Sequence, residues 1–293
     1  ELRWVVSSNP VHAVQISKRY GFEKSTCDYE QVLSDPETEL VVIASPNNLH
    51  YPMVMQAINA GKTVFVEKPL CLTRDELGDI RKAQAQSAVP VFVGFNRRYA
   101  PLVLKIKERM SRIDGPFMIT FRANVGFIPK TSWTQDLAVG GGRIIAEGCH
   151  FFDLFNFLLG RSDPKIQVAS ATVNGSSSIA KDNFTASLSY GDGSVAVLVY
   201  TALGSKEMDR ERLEVYGQGS SFVLDDFKKL RIYGVNSETL DLRRQNKGWS
   251  DEFEELSKFI RGESSSMITF NESIAATEIT MRVNDAIKDP QSA

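Results

Sequence analysis

Cysteine and histidine are scarce in this chain, at three each in 293 residues. Cys27, Cys71 and Cys149 are odd in number, far apart and without Cys-x-x-Cys spacing. That argues against a disulfide framework or a zinc knot and fits a reducing cytoplasm, so no metal site is expected. An excess of one charge is also lacking. The formal net charge is -2, which gives no reason to expect nucleic acid or a bilayer surface as partner. No run approaches 18 consecutive apolar residues, so no membrane-spanning helix is expected. Repeats and low-complexity linkers are missing too. The chain begins Glu1-Leu2-Arg3 without an initiator Met, and a trimmed or processed N-terminus is the expectation. What remains is ordinary globular composition, 42% apolar and 24% charged, in a chain long enough for two domains.

The first third alternates strand and helix signals. Leu2 to Val6 is a short apolar run stopping at Ser7-Ser8-Asn9-Pro10, and Val11 to Tyr20 follows at helical period with Gly21 as stop. Leu40 to Ala44, Thr63 to Val66 and Val89 to Gly94 read as strands buried on both faces, as in a parallel sheet. Between them lie helices over Tyr51–Ala60 and from the cap Thr73 to about Ser87. This order predicts right-handed crossovers and a doubly wound parallel sheet. After Asn96 the pattern changes. One helix, Tyr99–Met110, leads into strands at 117–125, 167–173, 183–190, 195–201, 212–216, 222–224 and 230–233, with helices at 147–159, 251–260 and 274–286. Phe184, Ala186, Leu188 and Tyr190 alternate with polar residues, and Asp192-Gly193 marks a hairpin turn. The expectation is an α+β domain with an open, mostly antiparallel sheet, beginning at residue 98 after a first domain of residues 1–97.

Four constellations could carry chemistry. Glu67-Lys68-Pro69 ends a buried strand, and ligands of open α/β sheets sit at the carboxyl ends of strands. Lys68 can polarise a carbonyl oxygen or move a proton there, or it can merely pair with Glu67. Pro69 fixes the turn, with a cis bond as one option. Gly140-Gly141-Gly142 permits unusual backbone, and the helix beyond it carries His150, an acid/base at neutral pH or a core histidine satisfied by Asp153. Ser45, Asn47 and His50 lie where another strand end opens a helix, suited to phosphate or carboxylate, or to plain capping. Asn96 and Arg97 follow the last strand, aimed at the crevice or forming an exposed basic helix start. Trp133, in the polar loop before the glycines, could touch a bound ligand or merely anchor the loop. Cys149 is read as packing, because adjacent helix residues do not face each other.

Taken in order, Ser45-Pro46-Asn47-x-x-His50, Glu67-Lys68-Pro69, Gly94-Phe95-Asn96-Arg97-Arg98 and three glycines followed after seven residues by His150 resemble the glucose–fructose oxidoreductase / inositol dehydrogenase / rhizopine-catabolism (Gfo/Idh/MocA) family, from residue 1 to about 287. The resemblance implies a Rossmann domain for NAD or NADP and a second domain whose open sheet often mediates oligomers. It implies hydride transfer at a sugar, nucleotide sugar or cyclitol carbon. Lys68 and His150 match the family's lysine and catalytic histidine, with Ser7, Ser45, Asn47, His50, Glu67, Lys68 and Asn96 toward the cofactor. Lys68, Arg97, Trp133 and His150 would face the substrate.

Three departures stand out. The family starts with a strand and Gly-x-Gly-x-x-Gly, whereas this chain starts at what matches the second strand, and trimming is the favoured explanation. At the end of that strand Ser7 and Ser8 replace the usual acid, which permits NADP. Four residues before the histidine, where the family often has aspartate, stands Ala146. Glu147 follows one place later, about 100° around a helix, as a replacement acid or as a dipole-favoured helix-start residue. The run Gly142-Arg143-Ile144-Ile145-Ala146-Glu147-Gly148-Cys149-His150 is similar to members in polysaccharide-biosynthesis settings, some fused behind a zinc-alcohol-dehydrogenase-like half, which leans the substrate toward a nucleotide sugar. The expected protein is a cytoplasmic NAD(P)-dependent dehydrogenase, a dimer or tetramer through the sheet of residues 117–234. The alternatives are a ligand-binding regulator that keeps the fold, and a hydrolase or eliminase with tightly held NAD.

Overall fold

The computed structural model describes residues 1–170, 180–234, 236–263 and 266–287. Strand β1 (Trp4–Val6) is followed by helix α1 (Pro10–Tyr20) and by β2 (Lys24–Thr26), which pairs with β1 in parallel. The local sequence fixes α1 at both ends. Asn9 caps it through its side chain, Pro10 opens it, and Gly21 closes it in the left-handed conformation at φ 78°. Helix α2 (Tyr29–Ser34) leads to β3 (Leu40–Ile43), α3 (His50–Asn59), β4 (Thr63–Val66), α4 (Arg74–Ser87) and β5 (Val91–Val93). Strands β3, β4 and β5 form a second parallel sheet in that order, and no hydrogen-bonded ladder joins it to β1–β2 among the described residues. A capping box between Thr73 and Glu76 starts α4.

Helix α5 (Pro101–Met110) leads into the second layer. Its eight strands are β6 (Met118–Asn124), β7 (Lys165–Ser170), β8 (Phe184–Ser189), β9 (Val195–Thr201), β10 (Glu211–Gly217), β11 (Ser220–Asp225), β12 (Lys229–Tyr233) and β13 (Glu238–Asp241). They run in the order β13-β12-β11-β10-β6-β9-β8-β7, and only β6–β9 is parallel. The part of the expected 167–173 strand beyond Ser170 lies outside the described residues. Along β8 the alternation holds, with Phe184, Ala186 and Leu188 buried and Thr185 and Ser189 exposed. Helices α6 (Cys149–Leu159), α7 (Trp249–Ile260) and α8 (Phe270–Ala286) complete the chain.

Two cores result. One packs α5, α6 and the inner face of the large sheet, and the other surrounds β3–β5. Helix α8 serves both, with Ile279 and Val283 in the first and Ile274 and Met281 in the second. One helix thus locks the angle between the layers.

Sequence periodicity misplaces several ends. The three-residue β2, the six-residue α2 and the edge strand β13 are too short and polar to signal themselves. Helix α8 starts at Phe270 rather than 274 because Thr269 and Glu272 form a capping box ahead of the apolar stripe. The helix expected from Glu147 is a π-helical turn, Ile144–Gly148, running into α6.

One buried group makes the fold sensitive to pH. Glu252, in the first turn of α7, is 0% exposed and neither carboxylate oxygen has a partner. Burial first, then the nearby charges of Glu67 and Asp153, push its carboxyl up to about 9. The folded protein therefore keeps a proton that the unfolded chain releases near pH 4.5, and stability falls as pH rises between those values. Glu252→Gln keeps the neutral shape at every pH. In urea melts its advantage over wild type should be small at pH 5 and grow to a few kcal/mol near pH 8, on the order of 1.4 kcal/mol for each pH step above the unfolded value. An advantage that does not change with pH would refute the assignment.

Candidate active site

Lys68 and His150 come from different layers and meet at the carboxyl edge of the parallel strands. Lys68 leaves β4 just before a cis Lys68–Pro69 peptide bond. Its ammonium donates to the Ala146 carbonyl oxygen at 3.0 Å, inside the π-helical turn. A wide i→i+5 turn alters the register of backbone pairing, and such turns recur at functional sites. Here it offers a carbonyl to Lys68 three residues before α6 begins. His150 is the second residue of α6 and is 7% exposed.

The environment holds His150 neutral. Burial comes first, and the cations Arg97, Lys68 and Lys247 add to it, keeping its pKa well below 6.5. Nδ1 is buried and has no hydrogen-bond partner, so Nε2 is the ring nitrogen left to meet a ligand. The expected alternative of a ring satisfied by Asp153 is not what forms. Asp153 accepts from Arg98 instead, through Nη2 and, at 3.1 Å, through Nε. Arg98 also donates to Glu272 at 3.0 Å, tying α6 to α8.

The other sequence-derived residues divide into those facing the crevice and those bracing it. Asn96 donates to the Lys247 carbonyl at 2.8 Å, and its Oδ1 is buried without a partner. Glu67 is half-buried, and burial raises its pKa against the opposing charge of Lys68. A Cβ on Gly94 would sit 3.1 Å from Glu67 Oε2, so glycine keeps that strand end open. Ser7, half-buried after β1, places its hydroxyl 3.2 Å from His12 Nδ1. Ser45 is half-buried after β3. His50 is a brace, because both ring nitrogens meet backbone carbonyls, Nδ1 at Pro69 (2.6 Å) and Nε2 at Ser45 (2.9 Å). It stitches the β3 end to the Lys68–Pro69 turn.

Asn47 does not cap its turn. Its side chain donates to Gly140 O at 2.9 Å, and the Asn48 amide donates to Val139 O at 3.1 Å. These bonds dock the glycine segment on the first layer. Gly140 is compulsory there, since a Cβ would lie 2.6 Å from the Thr134 backbone, and Gly141 and Gly142 adopt φ of 77° and 76°. Trp133, in the same loop, is exposed.

Arg97 and Glu147 sit differently from the sequence expectation. Arg97 is buried rather than exposed, with its Nη2 on Glu211 (2.7 Å), and Lys247 reaches the same carboxylate at 3.0 Å. Burial raises the Glu211 pKa, but the two cations outweigh it and hold it below the usual carboxylate range. Glu147 turns toward the large sheet. It accepts from Tyr200 at 3.0 Å and lies 3.5 Å from Arg143 and 3.7 Å from Arg210. Among the described residues no hydrogen bond joins it to Lys68 or His150. The π-helical turn explains this, since its extra residue points the carbonyl of 146, not the side chain of 147, at Lys68. Cys149 is buried with its thiol pushed up to about 12 by burial, as a packing residue would be.

Sequence reasoning missed Glu211, Lys247, Arg143 and Tyr200. Their partners lie 36 to 151 residues away or, for Arg143, four residues along a turn of unexpected period. The one local hint was Gly248, which has φ 87° and where a Cβ would meet Asn96 O at 2.3 Å.

A family model described as "Oxidoreductase family, NAD-binding Rossmann fold" matches residues 1–95, and one described as "Oxidoreductase family, C-terminal alpha/beta domain" matches residues 110–285. "Uncharacterized oxidoreductase YrbE" of Bacillus subtilis (strain 168) is 28% identical over 73% of this chain and 63% of its own. The "scyllo-inositol 2-dehydrogenase (NADP(+)) IolW" of the same organism is 26% identical over 76% of this chain and 60% of its own. The chain thus spans less than two thirds of the length of these curated relatives. A levoglucosan dehydrogenase solved with NADH and levoglucosan superposes with a TM-score of 0.84 at 21% identity, over 97% of this chain and 87% of that one, which shows the shared fold. With both halves matched in order, the chain belongs to the Gfo/Idh/MocA oxidoreductase family.

Proposed function

We propose that this protein is an NAD(P)-dependent dehydrogenase that oxidises a CH–OH group of a sugar, nucleotide sugar or cyclitol. The observation that supports it most is the meeting of a lysine ammonium and a neutral histidine, from two layers, at the carboxyl edge of a parallel sheet. In this reading residues 1–97 hold the cofactor and 98–293 the substrate. Ser7, Ser45, Asn47, Glu67, Lys68 and Asn96 border the cofactor, with His50 setting the turn that carries Lys68. The orphaned Asn96 Oδ1 suits a donor such as a carboxamide. Lys68, His150 and the exposed Trp133 face the substrate, and Arg97 positions the floor through Glu211.

The chemistry follows from the protonation states. His150 Nε2 takes the hydroxyl proton, which a neutral ring can do. Lys68, held by Ala146 O, keeps two N–H groups to donate to the substrate oxygen and stabilises the charge that develops on it. A nicotinamide held in this crevice would supply the hydride acceptor that the oxidation of the alcohol to a carbonyl needs. The other carboxylate, Glu147, orders Tyr200 and Arg143 under the substrate side. A cytoplasmic homodimer or tetramer through the open face of the large sheet fits the exposed Met118, Val199, Tyr216 and Tyr233 on that face.

Steady-state assays with polyols, sugars and nucleotide sugars test the reading. Lys68→Ala and His150→Ala should each lower kcat by about 10²- to 10⁴-fold, with NADH affinity, read by fluorescence, nearly kept in His150→Ala. No NAD(P) binding and no turnover on any such substrate would instead favour a regulator. Because the folded His150 pKa is depressed, its base form persists below pH 6.5. The oxidation rate should stay flat down through that pH and fall only in more acid solution, and an acid limb centred at or above 6.5 would remove His150 as the base. Since no acid stands at Ser7, Ser7→Glu should weaken NADPH binding at least tenfold while sparing NADH. Equal loss for both cofactors would take Ser7 out of the ribose site.

A further inference from the structure

Tyr200, on β9, is 1% exposed, with Phe184 stacked on its ring at 5.1 Å between centroids and Phe151 edge-on at 6.1 Å. The ring is held from both sides, so its hydroxyl is a fixed point. That hydroxyl accepts from Arg143 Nε at 2.7 Å and donates to Glu147 Oε2 at 3.0 Å. A guanidinium only donates and a carboxylate accepts, so the tyrosine hydrogen has one direction to point. Burial first, and then Glu147, keep the hydroxyl protonated, well above the ordinary phenol range. The donor is therefore present throughout the neutral range.

Arg143 and Glu147 bracket the backbone that matters. Arg143 stands immediately before the π-helical turn Ile144–Gly148, and Glu147 lies near its end. One hydroxyl binds both, so it fixes the span between them. Two further contacts steady the same frame. Arg143 donates to Gly126 O at 3.1 Å, and Arg210 lies 3.7 Å from Glu147. An i→i+5 turn is a rare interruption of a helix, and sparsely populated backbone persists only where its surroundings over-determine it. Between the two anchors is Ala146, whose carbonyl accepts from Lys68 at 3.0 Å. A methyl side chain has no polar group with which to hold that carbonyl. Its direction is set by Arg143 and Glu147 on either side.

We propose that Tyr200 is a positioning residue for Lys68. Through Arg143 and Glu147 its hydroxyl holds the π-helical turn in its wide form, and that turn aims the Ala146 carbonyl that fixes the ammonium. The signal passes through backbone, from the large sheet to the end of β4, with no side chain of the sheet entering the crevice. The consequence for rate rests on the dehydrogenase reading. The control over the Lys68 ammonium does not, and it can be measured without a substrate.

The test is competitive acylation with acetic anhydride, read by peptide mass spectrometry. Acylation needs an amine released from its acceptor, so Lys68 should react slowly beside Lys82, whose side chain is 77% exposed. Tyr200→Phe keeps the ring and loses the hydroxyl. It should speed Lys68 labelling relative to Lys82 by about threefold or more, the weight of one net hydrogen bond, with the circular dichroism spectrum unchanged. Should the buried Arg143 left behind unfold that variant, Glu147→Ala gives the same reading from a half-buried position. Glu147→Gln still accepts from Tyr200 and should return labelling to the wild-type rate. Unchanged labelling in a folded Tyr200→Phe or Glu147→Ala, or Glu147→Gln labelled as fast as Glu147→Ala, overturns the proposal. On a substrate that is turned over, Tyr200→Phe should lower kcat about tenfold when Lys68 is present. In the Lys68→Ala background it should cost less than about twofold, because the two residues act through one bond. Equal losses in both backgrounds mean general damage and also overturn it. Full activity of Lys68→Ala sinks the dehydrogenase chemistry instead and leaves the labelling result standing.

Discussion

The contact on which the site depends is the 3.0 Å hydrogen bond from Lys68 to the carbonyl of Ala146. It joins the end of a parallel strand to the start of a helix that packs on the other layer. A lysine at a strand end has a long, mobile side chain, and without a fixed acceptor its ammonium would sample the crevice and the solvent alike. A backbone carbonyl in a π-helical turn removes that freedom and adds no charge. Had the partner been a carboxylate, the ammonium's field would be partly cancelled before any substrate oxygen arrived. In the proposed dehydrogenase, the neutral acceptor keeps the cation available for charge that develops on the substrate oxygen.

The same sparing use of anions governs the floor of the crevice. Arg97 and Lys247 share one carboxylate, Glu211, while Arg98 is matched by Asp153 and Glu272. Buried ion pairs of this kind give little net stability, because desolvation offsets most of their attraction. Their effect here is positional and electrostatic. Arg98 holds α6 against α8, which fixes where His150 emerges. Burial first, and then the unmatched positive charge near Glu211, hold that histidine in its neutral form. Stability is supplied elsewhere, by the two apolar cores and the helix α8 common to both.

How much of this the sequence disclosed follows from the range of the interactions. Strand-end motifs were legible because their chemistry is local: a buried β-run that stops in Glu67-Lys68-Pro69 announces both the turn and the lysine. The three glycines announced close approach, and Gly140 against Thr134 is that approach. The sheet's alternation around Phe184 gave its inner face. Period misled at residues 144–148, where a helix of 3.6 residues per turn would have rotated Glu147 partway toward the missing aspartate's position. The π-helical turn breaks that arithmetic, and nothing in Ile144-Ile145-Ala146-Glu147-Gly148 reveals it. Lys247 and Glu211 were invisible for a different reason. Each is an ordinary charged residue beside a turn, and only the fold brings it to Arg97.

Ala146 then has a physical reading of its own. A buried methyl at that position leaves the carbonyl above it free of competition from a side-chain oxygen, and Lys68 takes the carbonyl. Glu147 completes a chain from Arg143 through Tyr200 that fastens the π-helical turn to strand β9. Arg143 is fully buried and bonded also to Gly126 O at 3.1 Å, so the turn is held from the sheet side as firmly as from the lysine side. On the proposed reading the proton acceptor stands alone, with no carboxylate bonded to its ring among the described residues, and a neutral, cation-flanked His150 suits that role.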